Sequence, residues 1–133
     1  MTPAIIARVG TAQTDLAGTW QELRERHARI SGSIERALQE QHRIGLSEFE
    51  VLEQLATIGD DHCRMQHLCG ATHLSQSALS RLIGRLEQDG LVTRTMCSDD
   101  RRGIYASLTP DGRARYEQAK PTQRAVLAEQ LGS

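Results

Sequence analysis

Apolar positions in the first third of the chain form a heptad-like seam. From Leu16 to Ala37 they follow alternating steps of four and three residues, and His27 fills the one slot that is not apolar. This spacing predicts a long helix that packs along another long helix, from this chain or from a second copy, rather than one that only covers its own domain. The seam consists of Leu16, Trp20, Leu23, His27, Ile30, Ile34 and Ala37. We expect residues 11–45 to form this helix, with a bend near Ser31-Gly32-Ser33.

A second helix is predicted to follow the first one directly. Ser47 and Glu50 have the spacing of a capping box, and Gly59 supplies a C-terminal stop. The inward face of this helix carries Val51, Leu52, Leu55 and Ile58.

The next segment has the layout of two helices joined by a tight turn. A short helix is predicted over residues 65–70, a turn over 71–74, and a second helix capped by Ser75. On this second helix the apolar positions recur at i, i+3, i+4 and i+7, which predicts a buried stripe on one side. The stripe consists of Leu79, Leu82, Ile83 and Leu86.

Two alternating segments predict a β-hairpin after the second helix of this pair. Residues 91–96 and 103–108 are the strand candidates, and Ile104, Ala106 and Leu108 share one face of the second strand. Thr109-Pro110 then provides a cap and an N1 proline for another helix. We expect Pro121 to interrupt that helix and residues 125–131 to form a short terminal one. The predicted fold is therefore mainly α with a small β-hairpin.

Charge is distributed unevenly around a net charge of −1. Residues 1–60 carry 6 arginines and 9 acidic residues, whereas residues 61–133 carry 10 basic and 8 acidic residues. The small net charge argues against an unstructured basic arm that coats nucleic acid, but the basic half of the chain can meet phosphate.

Composition also limits the class of protein. No segment is long and apolar enough to span a membrane or to form the core of a signal peptide, so we expect a cytoplasmic protein of one domain, residues 1–133. Cys63, Cys69 and Cys97 lack framework spacing, so reduced thiols are expected. No nucleophile with a suitably spaced base, phosphate-binding glycine loop or paired-carboxylate site is present, so we predict neither an enzyme nor a bound cofactor.

The polar face of the helix that Ser75 caps predicts contact with DNA. Hydroxyl, amide and guanidinium groups are the side chains that pair with base edges and phosphates, and acidic residues are absent from this face until Glu87 and Asp89. The alternative is an ordinary amphipathic helix with a solvated face. The candidate DNA-binding residues of this helix are Ser75, Gln76, Ser77, Ser80, Arg81 and Arg85.

The tip of the predicted hairpin carries two acidic residues followed by two arginines. Asp99 and Asp100 can brace the guanidinium groups of Arg101 and Arg102 so that they project into the minor groove, where the electrostatic potential is most negative. A solvated hairpin tip whose charges neutralise one another is the alternative. The tip is therefore a candidate wing.

Four stretches together resemble the MarR (multiple antibiotic resistance regulator) family of bacterial winged helix–turn–helix transcriptional regulators. They are LSQSALSRL at 74–82, RLEQDGLV at 85–92, DDRRG at 99–103 and LTPDG at 108–112. The resemblance implies a homodimer held by helices from residues 11–45 and 110–133, with a DNA-binding lobe over residues 46–108. It also implies that each recognition helix enters the major groove of a pseudo-palindromic duplex site and each wing enters a minor groove.

The resemblance further implies how such a protein works. Most members repress transcription, and many release DNA when a small phenolic or anionic effector binds between the dimer helices and the DNA-binding lobe. Trp20, Arg24, His27 and His42 are the candidate effector-binding residues. This chain departs from the family pattern at Gly84, where a polar side chain is more usual, and in the short segment after Pro121.

Two other kinds of sensor and two other functions are alternatives to this prediction. A metal site among Cys63, His67, Cys69 and His73 has no familiar ligand spacing, and Cys97 has no clear activating group besides nearby arginines. We therefore predict no bound metal. The rival functions are a winged-helix module that binds an acidic protein partner and an architectural DNA-binding protein without an effector.

Overall fold

The computed structural model describes residues 2–58, 62–96 and 103–132, and side chains from residue 15 onward except that of His62. This part of the chain is mainly α-helical with one small antiparallel sheet, as predicted. Its elements, in chain order, are α1 (Thr2–His42), α2 (Leu46–Thr57), β1 (His62–Arg64), α3 (Met65–Thr72), α4 (Gln76–Gln88), β2 (Val92–Met96), β3 (Ile104–Leu108) and α5 (Pro110–Leu131).

Helix α1 is a single helix of 41 residues that passes through Ser31-Gly32-Ser33 without interruption. Its second half packs on the rest of the chain, where Ile34 and Leu38 are buried. The helix ends at His42, whose carbonyl oxygen accepts a hydrogen bond from Arg115 Nη1 of α5 at 3.0 Å. This bond satisfies one of the carbonyl groups that a helix end leaves without an intrahelical donor.

Helix α2 begins one residue before the predicted cap, so the capping box at Ser47 and Glu50 is wrong. Gly45 is the N-cap residue. The Gly45 N–H donates to Glu48 Oε1 at 3.4 Å, and the Leu46 N–H donates to Glu35 Oε1 of α1 at 3.2 Å. The carboxylates of Glu48 and of Glu35 in α1 thus accept two N–H groups at the start of α2, so the Ser47 hydroxyl is not needed as a cap. Gly59, the predicted stop, lies outside the described residues.

The turn between α3 and α4 is shorter than predicted, because α3 continues to Thr72 rather than ending near Gly70. His73 ends α3 in the left-handed region, with φ 59°. Ser75 then caps α4 as predicted, since its Oγ accepts a hydrogen bond from the Ala78 N–H at 3.1 Å.

Within the described residues the sheet has three strands in the order β1-β3-β2, one more than the sequence predicted. The added strand, β1, is paired with β3 from His62↔Ser107 to Arg64↔Tyr105. The predicted hairpin strands are present as β2 and β3, each beginning one residue later than expected, with Met96 opposite Ile104. Ala106 and Leu108 are buried on the predicted inner face. The tip between these strands, residues 97–102, lies outside the described residues.

Helix α5 runs unbroken from Pro110 to Leu131, so the predicted break at Pro121 is wrong. The predicted start is confirmed, because Thr109 Oγ1 accepts from the Gly112 N–H at 2.9 Å. Proline removes one backbone donor, but packing on one face holds the helix together across that site. The buried residues of that face are Gly112, Tyr116, Ala119 and Gln123.

Candidate nucleic-acid interface

Helix α4 is fixed by its apolar stripe and presents the opposite side to solvent. The four predicted stripe residues are all buried in the core. The candidate DNA-binding residues between Ser75 and Arg85 are all exposed. The stripe therefore holds the helix so that hydroxyl, amide and guanidinium groups point away from the domain, as a helix that enters a groove requires.

Among the candidate DNA-binding residues of α4, Ser75 has a structural role. Its hydroxyl oxygen accepts the Ala78 N–H, so it satisfies one of the free donors at the start of α4. No acidic residue lies in the first turn of α4, and Gln76 and Ser77 follow the cap directly. The positive end of the helix dipole is therefore left without a negative side chain in that turn, which favours the approach of a phosphate group.

Two recesses flank α4. A groove of about 610 Å³ brings Arg81 and Arg85 together with Ser47 of α2, a residue that the sequence did not place at the site. A second recess of about 530 Å³ lies between α3, α4 and the sheet, and its wall includes Cys69 and Arg94. The two predicted arginines thus line one groove.

Arg94 is a residue of this region that sequence analysis missed. It projects from β2 onto α4, where its Nε and Nη2 donate to Glu87 Oε1 at 3.1 and 2.9 Å. It also donates to Ser80, from Nη2 to the carbonyl oxygen at 3.4 Å and from Nη1 to Oγ at 3.5 Å. The only sequence signal was an arginine in a strand that follows the recognition helix.

Arg64 and Tyr105 form a second contact that was not predicted, on the opposite edge of the sheet. Arg64 Nε donates to Tyr105 Oη at 3.1 Å, and the guanidinium carbon lies 5.7 Å from the centre of the tyrosine ring. Both residues belong to the β1–β3 pair, which sequence analysis did not include. This pair places one more arginine beside the 530 Å³ recess.

The candidate wing residues Asp99, Asp100, Arg101 and Arg102 lie outside the described residues, as does Cys97. The strands that lead to the tip, β2 and β3, are described and pair in register up to Met96↔Ile104. The role of the wing residues therefore remains a prediction.

The candidate effector-binding residues are spread along α1 and do not meet within one chain. Trp20 and His42 are 22 positions apart, which corresponds to about 33 Å of helix. His42 Nε2 lies 2.7 Å from Thr122 Oγ1 of α5, and His27 Nε2 lies 3.5 Å from Ser31 Oγ. Trp20 and Arg24 are exposed. A shared pocket for all four residues would need a second chain.

The described cysteines have ordinary surroundings. Cys63 is buried, and burial raises the pKa of its thiol, which makes the reactive thiolate scarcer. Cys69 is half-buried beside α4. In the part of the chain that the structure describes, no three His, Cys, Asp or Glu residues are placed to hold a metal ion.

Helices α2, α3 and α4 and the small antiparallel sheet form a winged helix–turn–helix fold. Comparison with known proteins identifies its family. The MarR family model matches residues 44–103. AbsC, a MarR family transcriptional regulator from Streptomyces coelicolor, is 30% identical, with 86% of this chain and 77% of that chain covered and a TM-score of 0.81. The chain belongs to the MarR family.

Two further relatives extend the comparison. Sco3205, a MarR family transcriptional regulator from Streptomyces coelicolor solved in complex with DNA, is 25% identical, with 86% of this chain and 72% of that chain covered and a TM-score of 0.82. The HTH-type transcriptional repressor YetL of Bacillus subtilis (strain 168) is 33% identical over 79 residues, which are 58% of this chain and 47% of YetL. The match thus spans about half of that relative. Over the described helices, none is long and apolar enough to cross a membrane.

Proposed function

We propose that this protein is a transcriptional regulator that binds duplex DNA through α4. The observation that carries the proposal is the exposed polar face of α4, on which Arg81 and Arg85 line one groove while the opposite stripe is buried. Family membership and the DNA complex of Sco3205 support the same function. The N-terminal half of α4 meets base edges, and the arginines supply phosphate contacts and discrimination between bases.

The protein acts as a homodimer on a pseudo-palindromic site. Leu16, Trp20 and Leu23 leave a strip of exposed apolar surface along the first half of α1, which supports a second copy as its partner. Two-fold symmetry would place two recognition helices on half-sites about one helical turn apart. Each wing, carrying Arg101 and Arg102 braced by Asp99 and Asp100, would enter the neighbouring minor groove.

Repression is the proposed sign of regulation, supported by the similarity to the repressor YetL. A small phenolic or anionic effector that releases DNA is part of the same proposal, with its pocket formed between the α1 helices of the dimer and the DNA-binding lobe. The rival functions make different predictions. A protein-interaction module would not bind DNA at low salt, and an architectural protein would bind without sequence preference.

Selection of bound duplexes from a random DNA pool tests the proposal directly. Purified protein should enrich one inverted repeat, and binding to it should weaken steeply as salt increases because counterions are released from phosphates. Salt-sensitive binding without any enriched sequence would favour the architectural function. An absence of binding at low salt would make the protein-partner module the better explanation.

The selected site then allows a test of one side chain. Arg81→Ala should cost about 1–3 kcal/mol of binding free energy on that site and relax the preference at one base position. Arg36→Ala is the matched control, because it removes an exposed arginine of α1 rather than of α4. An equal loss on every DNA sequence would show that Arg81 contacts phosphate only, and no loss at all would remove it from the interface.

A further inference from the structure

The Arg94 side chain runs along one side of α4, over a strip formed by Ser80, Gly84 and Glu87. Ser80, Gly84 and Glu87 follow the i, i+4, i+7 spacing and therefore stand one above another on α4. The guanidinium group bonds the residues at both ends of this strip, with the Glu87 carboxylate at 2.9 Å and the Ser80 carbonyl oxygen at 3.4 Å. One side chain from β2 thus holds two successive turns of α4.

A small residue at position 84 leaves room for this arrangement. A Cβ atom at position 84 would meet Arg94 Nη2 at 3.7 Å, an ordinary van der Waals contact, so a methyl group fits beneath the guanidinium. Any longer side chain that extends from that Cβ toward the guanidinium would need the space that Arg94 occupies.

The ion pair also changes the electrostatics of the DNA-facing helix. Glu87 is the first acidic residue of α4, and an unpaired carboxylate there would repel the phosphate backbone. Arg94 and Glu87 have side chains that are 29% and 36% exposed, so the pair is partly shielded from water and is bound by two charge-assisted hydrogen bonds. Arg94 is therefore held on the helix by groups of the protein itself.

We propose that Arg94 is a positioning residue for DNA recognition, and that the small residue at position 84 leaves room for its guanidinium group. This clamp, formed by Arg94 and its bonds to Ser80 and Glu87, fixes the direction of α4 relative to β2, which is the strand that leads to the wing. It thereby sets the spacing between the groups that enter the major groove and those that enter the minor groove. This inference rests on the proposed function, since it assumes that α4 meets DNA.

Substitutions at position 84 test the clamp without changing any charge. Gly84→Leu should displace the guanidinium and weaken binding to the selected site about tenfold, the loss expected when a charge-assisted hydrogen-bond set is broken. The slope of log affinity against log salt should stay at the wild-type value because no phosphate contact is removed. Gly84→Ala is the matched control and should bind within about twofold of wild type, since its methyl group fits.

Thermal unfolding separates positioning from damage to the fold. Gly84→Ala should be at least as stable as the wild type because alanine favours helix more than glycine does, whereas in Gly84→Leu the same gain is offset by the loss of the Arg94 hydrogen bonds to α4. A Gly84→Leu protein that binds weakly but stays folded at the temperature of the binding assay would support the clamp. A lower unfolding temperature that accounts for the loss of binding would overturn it.

A double-mutant cycle with Arg94→Ala addresses direct contact with DNA. If Leu at position 84 acts only by displacing Arg94, then adding Gly84→Leu to Arg94→Ala should cause no further loss of affinity. A further tenfold loss in that background would mean that the leucine clashes with DNA itself, which would overturn the argument from Gly84. A salt slope reduced by about one in Arg94→Ala, with the Gly84→Leu slope unchanged, would make Arg94 a phosphate contact instead.

The wild-type protein distinguishes failure of this inference from failure of the proposed function. If it enriches no DNA and binds none at low salt, the proposed function is wrong and the clamp has no role in recognition. If it binds a selected site and all three variants bind that site equally well, the function stands and the positioning role of Arg94 is wrong.

Discussion

The two halves of α1 share one hydrophobic spacing but differ in their surroundings. In the first half Leu16, Trp20 and Leu23 are 68%, 62% and 55% exposed. In the second half the seam residue Ile34 is 4% exposed, and Leu38, which follows the seam residue Ala37, is fully buried. Both belong to the core. The difference shows that an apolar seam in the sequence predicts a surface that packs on a partner. It does not indicate whether that partner belongs to the same chain or to a second one.

Helix α5 accounts for the difference. It packs along the second half of α1, where Arg115 binds the His42 carbonyl group and Thr122 Oγ1 lies 2.7 Å from the His42 ring and 3.3 Å from Gln41 Oε1. Residues 15–29 of α1 are exposed throughout. Their apolar side chains therefore gain free energy only when something outside the chain covers them.

The buried half should respond most strongly to truncation. Leu38→Ala removes a fully buried side chain and should lower the free energy of unfolding by about 2–5 kcal/mol through lost transfer energy and a cavity. Denaturant unfolding at several protein concentrations measures this loss. The decrease should have the same size at every concentration, and a decrease confined to dilute samples would place Leu38 at an interface between chains.

The exposed half should show the opposite behaviour. Trp20→Ala should weaken the dimer by about 2 kcal/mol, because truncating an aromatic side chain that is buried in an interface has a cost of this size. The stability of a separate chain should change little. Sedimentation equilibrium gives the dimer dissociation constant. Met96→Ala is the control, because Met96 is equally exposed but lies on β2. Equal dissociation constants for wild type and Trp20→Ala would show that the exposed half of α1 does not form the dimer interface.

The parts of the fold that sequence predicted are those set by local pattern. The stripe of α4 follows from the spacing of Leu79 to Leu86, and the caps at Ser75 and Thr109 follow from a hydroxyl placed just before a helix. Each of these features depends on residues within about two turns of one another. The exposed DNA-binding candidates followed in turn, because the side opposite a buried stripe must face outward.

The features that sequence missed depend on residues far apart in the chain. The Leu46 N–H at the start of α2 donates to Glu35 of α1, and β1 exists because it pairs with β3 some forty positions later. Arg94 joins the site because β2 folds back beside α4, which no spacing within the strand reveals. Pro121 is tolerated because packing on α1 and α2 outweighs one lost backbone hydrogen bond.

A smaller effect on the free energy of unfolding is expected where side chains of α5 form hydrogen bonds with α2. Tyr116 Oη donates to Glu53 Oε2 at 2.9 Å, and Arg124 Nη2 donates to the same oxygen at 2.7 Å. Tyr116→Phe should cost about 1 kcal/mol of unfolding free energy, because Glu53 keeps its arginine partner. A double-mutant cycle with Glu53→Gln measures the coupling, and a coupling of zero would show that the bond adds nothing.

The same bond predicts a dependence on pH. Burial raises the pKa of Tyr116, and its hydrogen bond to Glu53 raises that pKa further. The folded protein therefore keeps the proton at a pH where the unfolded chain releases it, so the contribution is complete below about pH 10 and is lost as pH rises through the folded-state pKa. The stability difference between wild type and Tyr116→Phe should shrink only above that pH. A difference that already shrinks between pH 6 and 9 would mean that a group other than Tyr116 titrates.

The smallest effect is expected at the end of α1, next to the buried half. Arg43 follows the helix in the left-handed region with φ 57°, a conformation that costs residues other than glycine about 1 kcal/mol. Arg43→Gly should therefore raise the free energy of unfolding by about 0.5–1 kcal/mol, whereas Arg43→Ala keeps the backbone strain and controls for the lost charge. Because Arg43 lies at the far end of α1 from the exposed seam, the dimer dissociation constant should stay the same in both variants. A stabilised protein with a changed dissociation constant would mean that the two halves of α1 are coupled, and that the exposed seam is not an independent surface.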